Sequence, residues 1–255
     1  MLNKSTDFIA SLAKGLQVLE AFGADQPRLS ITDVARETGL DRAATRRCLL
    51  TLQELGYANS DGKYFSLTPR VLRLGTGALA AMPLPQIVQP WLDQLSETVG
   101  QSASVSILDE TEIVYVARAA QKRVMSIGLM PGSRLPAHCT SMGRVLLAAL
   151  PPAERQKRID ASDLAPRTRF SRTDPEKILA ELAAVASQGY ALIDQEVELG
   201  VRSIAVPLRS MTGQVVAALN IGLGTIHGAA EALVAEYLPE LLRVQKGLSR
   251  VLKTA

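Results

Sequence analysis

The chain has 255 residues, 47% hydrophobic and 21% charged, which is material for two packed domains and too much apolar content for disorder. Its 28 basic and 25 acidic residues leave a net charge of +3, and residues 1–80 carry 10 basic against 8 acidic, so a protein that coats any nucleic acid through bulk charge is excluded. Cys48 and Cys139 lie far apart without a CxxC pair, there is no signal-peptide pattern, and no apolar run approaches the roughly 20 residues that span a bilayer, so a reduced, cytoplasmic protein is expected.

In chain order, Leu12, Leu16, Leu19 and Phe22 make one face of a first helix that Ser11 can cap and Gly23 can end. Ser30 can cap a short second helix, with Asp33 where the helix dipole favours a carboxylate and Val34 and Ala35 facing inward. Gly39 supplies the positive φ of a sharp exit, and Asp41 caps a third helix over residues 42–55. Thr45, Cys48, Leu49, Leu52 and Leu55 recur at helical spacing for burial, which turns Arg42, Ala43, Ala44, Arg46 and Arg47 outward. Small residues allow close approach to a groove, and guanidinium forks reach guanine edges or phosphates. Two β-prone runs, residues 57–60 and 63–67, joined by a two-residue Asp61-Gly62 turn, place Lys63 at a hairpin tip near a phosphate backbone. Helix, glycine turn, arginine-bearing helix and hairpin in this order make a winged helix-turn-helix, whose partner is double-stranded DNA.

Thr68-Pro69 opens a linker helix to about Leu79, and Met82-Pro83-Leu84-Pro85 breaks it. A helix over residues 86–99 follows with Ile87, Val88, Trp91, Leu92, Leu95 and Val99 as its apolar stripe. Strands are expected where Ala103, Val105 and Ile107 alternate with serines, over residues 113–117, and where Met125, Ile127 and Leu129 alternate. Residues 140–150 read as helix, Thr173-Asp174-Pro175-Glu176 as the capping box of another, and residues 204–208 with 215–223 as a hairpin. A last helix presents Val234, Leu238, Leu241, Leu242, Leu248 and Val251 as its buried side. The organisation is α+β: a winged helix-turn-helix over residues 1–68, a linker helix over 69–83 and a mixed domain over 84–255.

Catalytic chemistry has few candidates. His138 and His227 are the two histidines, and GxSxG, HExxH and GxGxxG are absent. Adjacent residues such as His138 and Cys139 rarely orient towards each other, so no catalytic residue, metal ligand or cofactor is assigned. The small, polar stretch over residues 136–143 precedes a helix whose free N–H groups can cradle a carboxylate, or Thr140 simply caps that helix.

Leu16-Gln17-Val18-Leu19, Gly39-Leu40, Leu49-Leu50 and Gly56-Tyr57, followed by Leu135-Pro136-Ala137-His138, the Gly143-Arg144-Val145-Leu146-Leu147-Ala148 run, Glu196, the run from Gly200 to Ala205, and Pro207, resemble the IclR family of bacterial transcriptional regulators over nearly the whole chain. Asp7-Phe8-Ile9 and Ser141-Met142-Gly143-Arg144 are most similar to its protocatechuate, 4-hydroxybenzoate and β-ketoadipate subgroup. The resemblance implies a GAF-like effector domain, a dimerising linker, dimers that pair into tetramers, and an effector pocket on Ser141, Met142, Ile193, Ser203, Asn220 and Gly222. Met142 and Ile193 are too apolar for a two-carbon acid, so the pocket suits an aromatic acid, with Thr140 as a further polar group and Arg134 as the carboxylate partner if it turns inward. The expected protein is thus a ligand-responsive regulator of aromatic-acid catabolism genes acting at a palindromic operator. The alternatives are a small-molecule-sensing module or a mixed α/β hydrolase without sequence-specific DNA binding.

Overall fold

Two units divide the chain between Ala81 and Met82. The computed structural model describes residues 7–23, 26–121, 128–225 and 230–252. The first unit comprises α1 (Ala10–Glu20), β1 (Leu29–Ser30), α2 (Ile31–Thr38), α3 (Arg42–Glu54), β2 (Ala58–Ser60), β3 (Tyr64–Leu67), a 3₁₀ turn at Pro69–Val71 and α4 (Leu72–Ala81). Local chemistry sets its element ends. Ser30 and Asp33 form a reciprocal capping box: the Asp33 carboxylate accepts the Ser30 amide at 3.0 Å and the Ser30 hydroxyl accepts the Asp33 amide at 3.3 Å. Gly39 ends α2 at φ +67°, and the Asp41 carboxylate accepts the Ala44 amide at 2.7 Å to open α3.

Val18, Val34, Leu49, Leu52, Ala58 and Phe65 fill the core of this unit. The antiparallel sheet has the order β1-β3-β2, and β1, two residues long, carries no sequence period of its own. The wing turns one residue later than expected: the Asp61 amide donates to the Tyr64 carbonyl at 3.2 Å, so Gly62 and Lys63 make the reversal. Burial differs from the sequence pattern along one line. Leu12, Leu16 and Leu55 are exposed and Cys48 is only half-buried, because Val18, Leu49 and Leu52 already occupy the inward side and the adjacent stripe opens onto a groove between α1 and α3.

The second unit comprises α5 (Pro83–Val99), β4 (Ser102–Asp109), β5 (Glu112–Ala119), β6 (Arg134–Pro136), a 3₁₀ turn at Ala137–Cys139, α6 (Ser141–Ala148), α7 (Pro152–Asp160), α8 (Pro175–Gln188), β7 (Ala191–Asp194), β8 (Val201–Arg209), β9 (Val215–Gly224) and α9 (Ala230–Leu248). Its antiparallel sheet has the order β6-β5-β4-β9-β8-β7. On one face α5 and α9 bring Leu92, Leu95, Tyr237 and Leu241 against Val105, Ile204, Leu219 and Ile221. On the other lies α6, with α8 packed against it, so that Met142, Leu147, Ile178 and Leu182 join Ile113, Tyr115 and Ala205. Burying the large aliphatic side chains of both faces, each contributing about 1.5–3 kcal/mol, is what offsets the entropy of ordering so long a chain.

Several elements depart from the sequence reading. α5 starts at Pro83, since prolines fit a first helical turn. Asp174, not Thr173, caps α8, accepting the Glu176 amide at 3.0 Å. The short α7, β6 and β7 were not expected from periodicity. In α9 Leu242 is exposed and Val251 lies exposed beyond its end, while Leu233, Tyr237 and Val244 take the buried side. Met125, Ile127, His227 and the side chain of Leu79 lie outside the described residues, and Leu129 is in no strand.

Candidate functional site

The capped turn between α2 and α3 presents Arg42, Ala43, Arg46 and Arg47 to solvent. None of these arginines makes an ion pair with a described residue. Ala44 does not join them. It is 3% exposed, because the residue that donates its amide to the Asp41 cap also sits next to Thr45 on the inward side of the first turn. Arg47 borders the groove between α1 and α3, leaving Arg42, Ala43 and Arg46 as the outermost side chains. At the wing, Lys63 is exposed with its ammonium 5.0 Å from the Tyr64 ring centroid. Arg28, which periodicity did not single out, pairs with Asp61 and stacks over the same ring, adding a cation to the wing.

In the second unit the face of the sheet towards α6 carries an uneven stripe. Along β4, Ser102, Ser104 and Ser106 alternate with the core residues Ala103 and Val105, and in register beside them on β9 lie Gly222, Asn220 and Ala218. Ser203 of β8 pairs with Gly222 and with Ile193 of β7. The sequence of α6 covers this stripe through its first turn: Thr140 caps it, its hydroxyl accepting the Gly143 amide at 3.1 Å, and Met142 accepts the Ser106 hydroxyl at 3.2 Å. Between them is a cavity lined by Thr140, Ser141, Met142, Ile193, Ser203, Asn220 and Gly222. Seven of the eight residues expected at the effector pocket therefore share one cavity.

Arg134 is the eighth, and it is elsewhere. It lies on the edge strand β6, 42% exposed, with its guanidinium 2.7 Å from both Asp109 and Glu112; these two acids, paired across the neighbouring β4–β5 turn, hold it outward. The cation that does line the cavity is Arg118 on β5. Simple alternation from Ile113 and Tyr115 would turn Arg118 to the other face. A β-bulge intervenes: Val105 pairs with Ala117 and Ser106 with Tyr115, so Val116 is an extra residue that shifts the alternation and brings Arg118 round with Tyr115. Arg118 donates to the Ser104 hydroxyl at 2.9 Å, burial holds its pKa below the ordinary range, and it forms no ion pair with a described residue. Ser102, Tyr115, Leu129, Leu135, Val197 and Val201 complete the walls. The Asn220 Oδ1 and Ser141 Oγ atoms are buried and have no hydrogen-bond partner among the described residues. A half-buried guanidinium without an acidic partner among the described residues and two unpartnered polar atoms, beside the apolar walls of Met142, Ile193, Val197 and Val201, are chemistry for a small acid.

Among the described residues no group of acids, histidines and cysteines could hold a metal ion, and no helix is long and apolar enough to cross a membrane. Nor do His138 and Cys139 form a catalytic pair. Both His138 nitrogens lack a partner among the described residues and burial pushes its pKa down to about 4, while burial pushes the Cys139 thiol up to about 11.

The IclR helix-turn-helix profile matches residues 11–62, and the profile of the C-terminal domain of bacterial IclR regulators matches residues 76–250. The chain belongs to the IclR family. It is therefore a DNA-binding transcriptional regulator and not an enzyme, which removes the hydrolase alternative. The Pca regulon regulatory protein of Pseudomonas putida is 43% identical, with 95% of this chain and 84% of that protein covered. The p-hydroxybenzoate hydroxylase transcriptional activator of Acinetobacter baylyi is 41% identical, with 93% and 90% covered. Among solved structures, a double mutant of the PobR inducer-binding domain from Acinetobacter in complex with 3-hydroxybenzoic acid is 36% identical, with a TM-score of 0.61 over 65% of this chain and 97% of that one.

Proposed function

We propose that this IclR regulator controls genes of aromatic-acid breakdown and that its effector is a hydroxybenzoate-like acid bound in the cavity under α6. The observation that carries the reading is Arg118: a guanidinium lining the cavity, without an acidic partner among the described residues, in a space that also holds the unpartnered Ser141 and Asn220 oxygens. A carboxylate at Arg118 would restore the charge balance that burial disturbs, the ring would lie against Met142 and Ile193, and a phenolic hydroxyl would meet Ser141, Ser203 or Asn220. The names of its relatives support the same class, since they concern the pca regulon, p-hydroxybenzoate hydroxylase and a hydroxybenzoic acid complex.

On the DNA side, Arg42, Ala43 and Arg46 are assigned to the major groove, with Arg47 and Lys63 on the phosphates. A dimer would read a palindrome with half-sites about 10 bp or a multiple apart. The exposed Leu12, Leu16 and Leu55 stripe supports a second copy, alone or as a dimer of dimers, and a cytoplasmic location fits work on DNA. In functional terms residues 1–68 bind DNA, 69–83 link and 84–255 sense, and the effector regulates by binding two arrangements of the linker unequally.

Calorimetry on the whole protein with 4-hydroxybenzoate, 3-hydroxybenzoate, protocatechuate, glyoxylate and pyruvate tests the reading. Hydroxybenzoates are expected to bind, Arg118→Ala to cost about 2–5 kcal/mol of that binding, and Arg134→Ala to leave it unchanged. Preference for glyoxylate or pyruvate, or full affinity in Arg118→Ala, would sink it.

A further inference from the structure

Arg144 is the most deeply buried cation described, 2% exposed on α6 and two residues past Met142 of the cavity wall. Each guanidinium nitrogen has a partner: Nε donates to the His138 carbonyl at 2.9 Å, Nη2 to Glu196 Oε2 at 2.7 Å, and Nη1 to Glu181 of α8. Glu196, 4% exposed, also accepts the Arg172 amide at 3.1 Å. Removing such a pair from water offsets most of its mutual attraction, so an apolar pair of the same volume would serve stability as well. Charges with directed hydrogen bonds do something apolar contact does not. They fix which two pieces of backbone face each other, and at what spacing.

Those two pieces are walls of the cavity. Arg144 ties down the Ala137–Cys139 turn and with it the start of α6, where Thr140, Ser141 and Met142 line the space. Glu196 belongs to the segment between β7 and β8, and its neighbours Ile193 and Val197 line the opposite wall. That segment is otherwise strained: Gln195 sits at φ +61°, a conformation non-glycine residues seldom adopt. It is held by the Gln195 amide donating to the Val201 carbonyl at 2.9 Å, by Thr168 donating to the Gln195 carbonyl at 2.7 Å and by Ser171 donating to the Glu196 carbonyl at 2.6 Å. None of these bonds crosses to α6. The Arg144–Glu196 pair does.

We propose that Arg144 and Glu196 are positioning residues of the effector cavity: without touching the ligand, the pair sets the gap between the start of α6 and the Ile193–Val197 wall, and so the affinity for a flat acid held between them. This rests on the reading of the cavity as the effector site. It predicts that the two walls loosen together when the pair is weakened, and that affinity falls even where the fold is intact.

The test uses the full-length protein, Glu196→Gln, Arg144→Lys and, on the half-exposed rim of the same cluster, Arg172→Gln. Amide hydrogen exchange without ligand and calorimetry with 4-hydroxybenzoate are measured on each. Glu196→Gln and Arg144→Lys are expected to speed exchange at residues 140–143 and 193–198 together, with α9 unaffected, and to weaken binding at least tenfold. Unchanged exchange at both walls, or binding within twofold of wild type in folded Glu196→Gln and Arg144→Lys, overturns the proposal. Should these two fail to fold, Arg172→Gln decides: threefold or greater weakening with faster exchange at both walls supports the pair, and wild-type values overturn it. If the wild-type protein itself binds no hydroxybenzoate, the effector reading fails and the exchange arm alone decides whether the pair positions the walls.

Discussion

The surface proposed to face DNA and the cavity proposed for the effector solve opposite problems. The first is convex and local: Arg42, Ala43, Arg46 and Arg47 follow one another on the opening turns of α3, Lys63 is at the adjoining hairpin tip, and all five are in water. The second is concave and dispersed, gathering Ser102, Arg118, Thr140, Ile193, Ser203 and Asn220 from six places in the chain into a space closed by α6. A surface made by one helix is specified as soon as that helix forms with its cap. A cavity made by many strands is specified only when their register is. Errors of one residue therefore mean little on α3 and everything on β5.

The largest expected effect breaks the convex side alone. Replacing Arg42, Arg46 and Arg47 together by alanine removes side chains each worth about 1–3 kcal/mol of DNA binding, so operator affinity should fall about a hundredfold or more. Gel retardation against salt should show a flatter salt slope as well, while calorimetric affinity for the aromatic acid stays as in wild type. Unchanged operator affinity would remove α3 as the reading helix.

A middle-sized effect should appear on the concave side. Gly143 lies where an added Cβ would sit 2.1 Å from the Ala137 carbonyl oxygen, which is backbone and cannot swing away. Gly143→Ala should push the Ala137–Cys139 turn off α6, costing about 1–3 kcal/mol in denaturant unfolding of the second unit and weakening acid binding. Wild-type acid affinity in that variant would show that the start of α6 tolerates displacement, contrary to a precisely spaced cavity.

The smallest effect tests how locally the first unit is built. The Asp41 carboxyl is held below its ordinary pKa by the Ala44 amide, and that of Asp33 by the Ser30 hydroxyl and amide. Because both values are lowered on folding, these caps stabilise the unit fully above the ordinary carboxylate pKa and lose that contribution as pH falls through the folded-state value. Asp41→Asn keeps a capping oxygen without a titrating group. Its unfolding midpoint should match wild type near neutrality and depend less on pH in the acid limb; an unaltered acid limb would mean that the cap contributes nothing through its charge.

Much of the winged unit was legible because its determinants are neighbours in sequence: the Ser30–Asp33 box, the positive φ of Gly39 and the Asp41 cap each act within a few residues, while the wing reversal was read one residue early. Ala44 was misread because a helix alone does not say how far round its buried face extends, and Leu12, Leu16 and Leu55 because one apolar stripe can face a groove as well as a core. In the second unit the resemblance to a family placed six residues at the cavity, and the local reading of the α6 start added Thr140. Composition and periodicity could not have assembled them.

What the sequence determined by itself is therefore the α+β class, the Ser30 and Asp41 caps and the cationic face of α3, since these depend on interactions a few residues apart. Tertiary structure alone decided which arginine enters the cavity. The extra Val116 in β5 reverses the alternation and turns Arg118 inward, while Asp109 and Glu112 on paired strands hold Arg134 outward. Side-chain direction in a strand has a period of two, so one bulge, visible only when β5 meets β4, exchanges inside for outside.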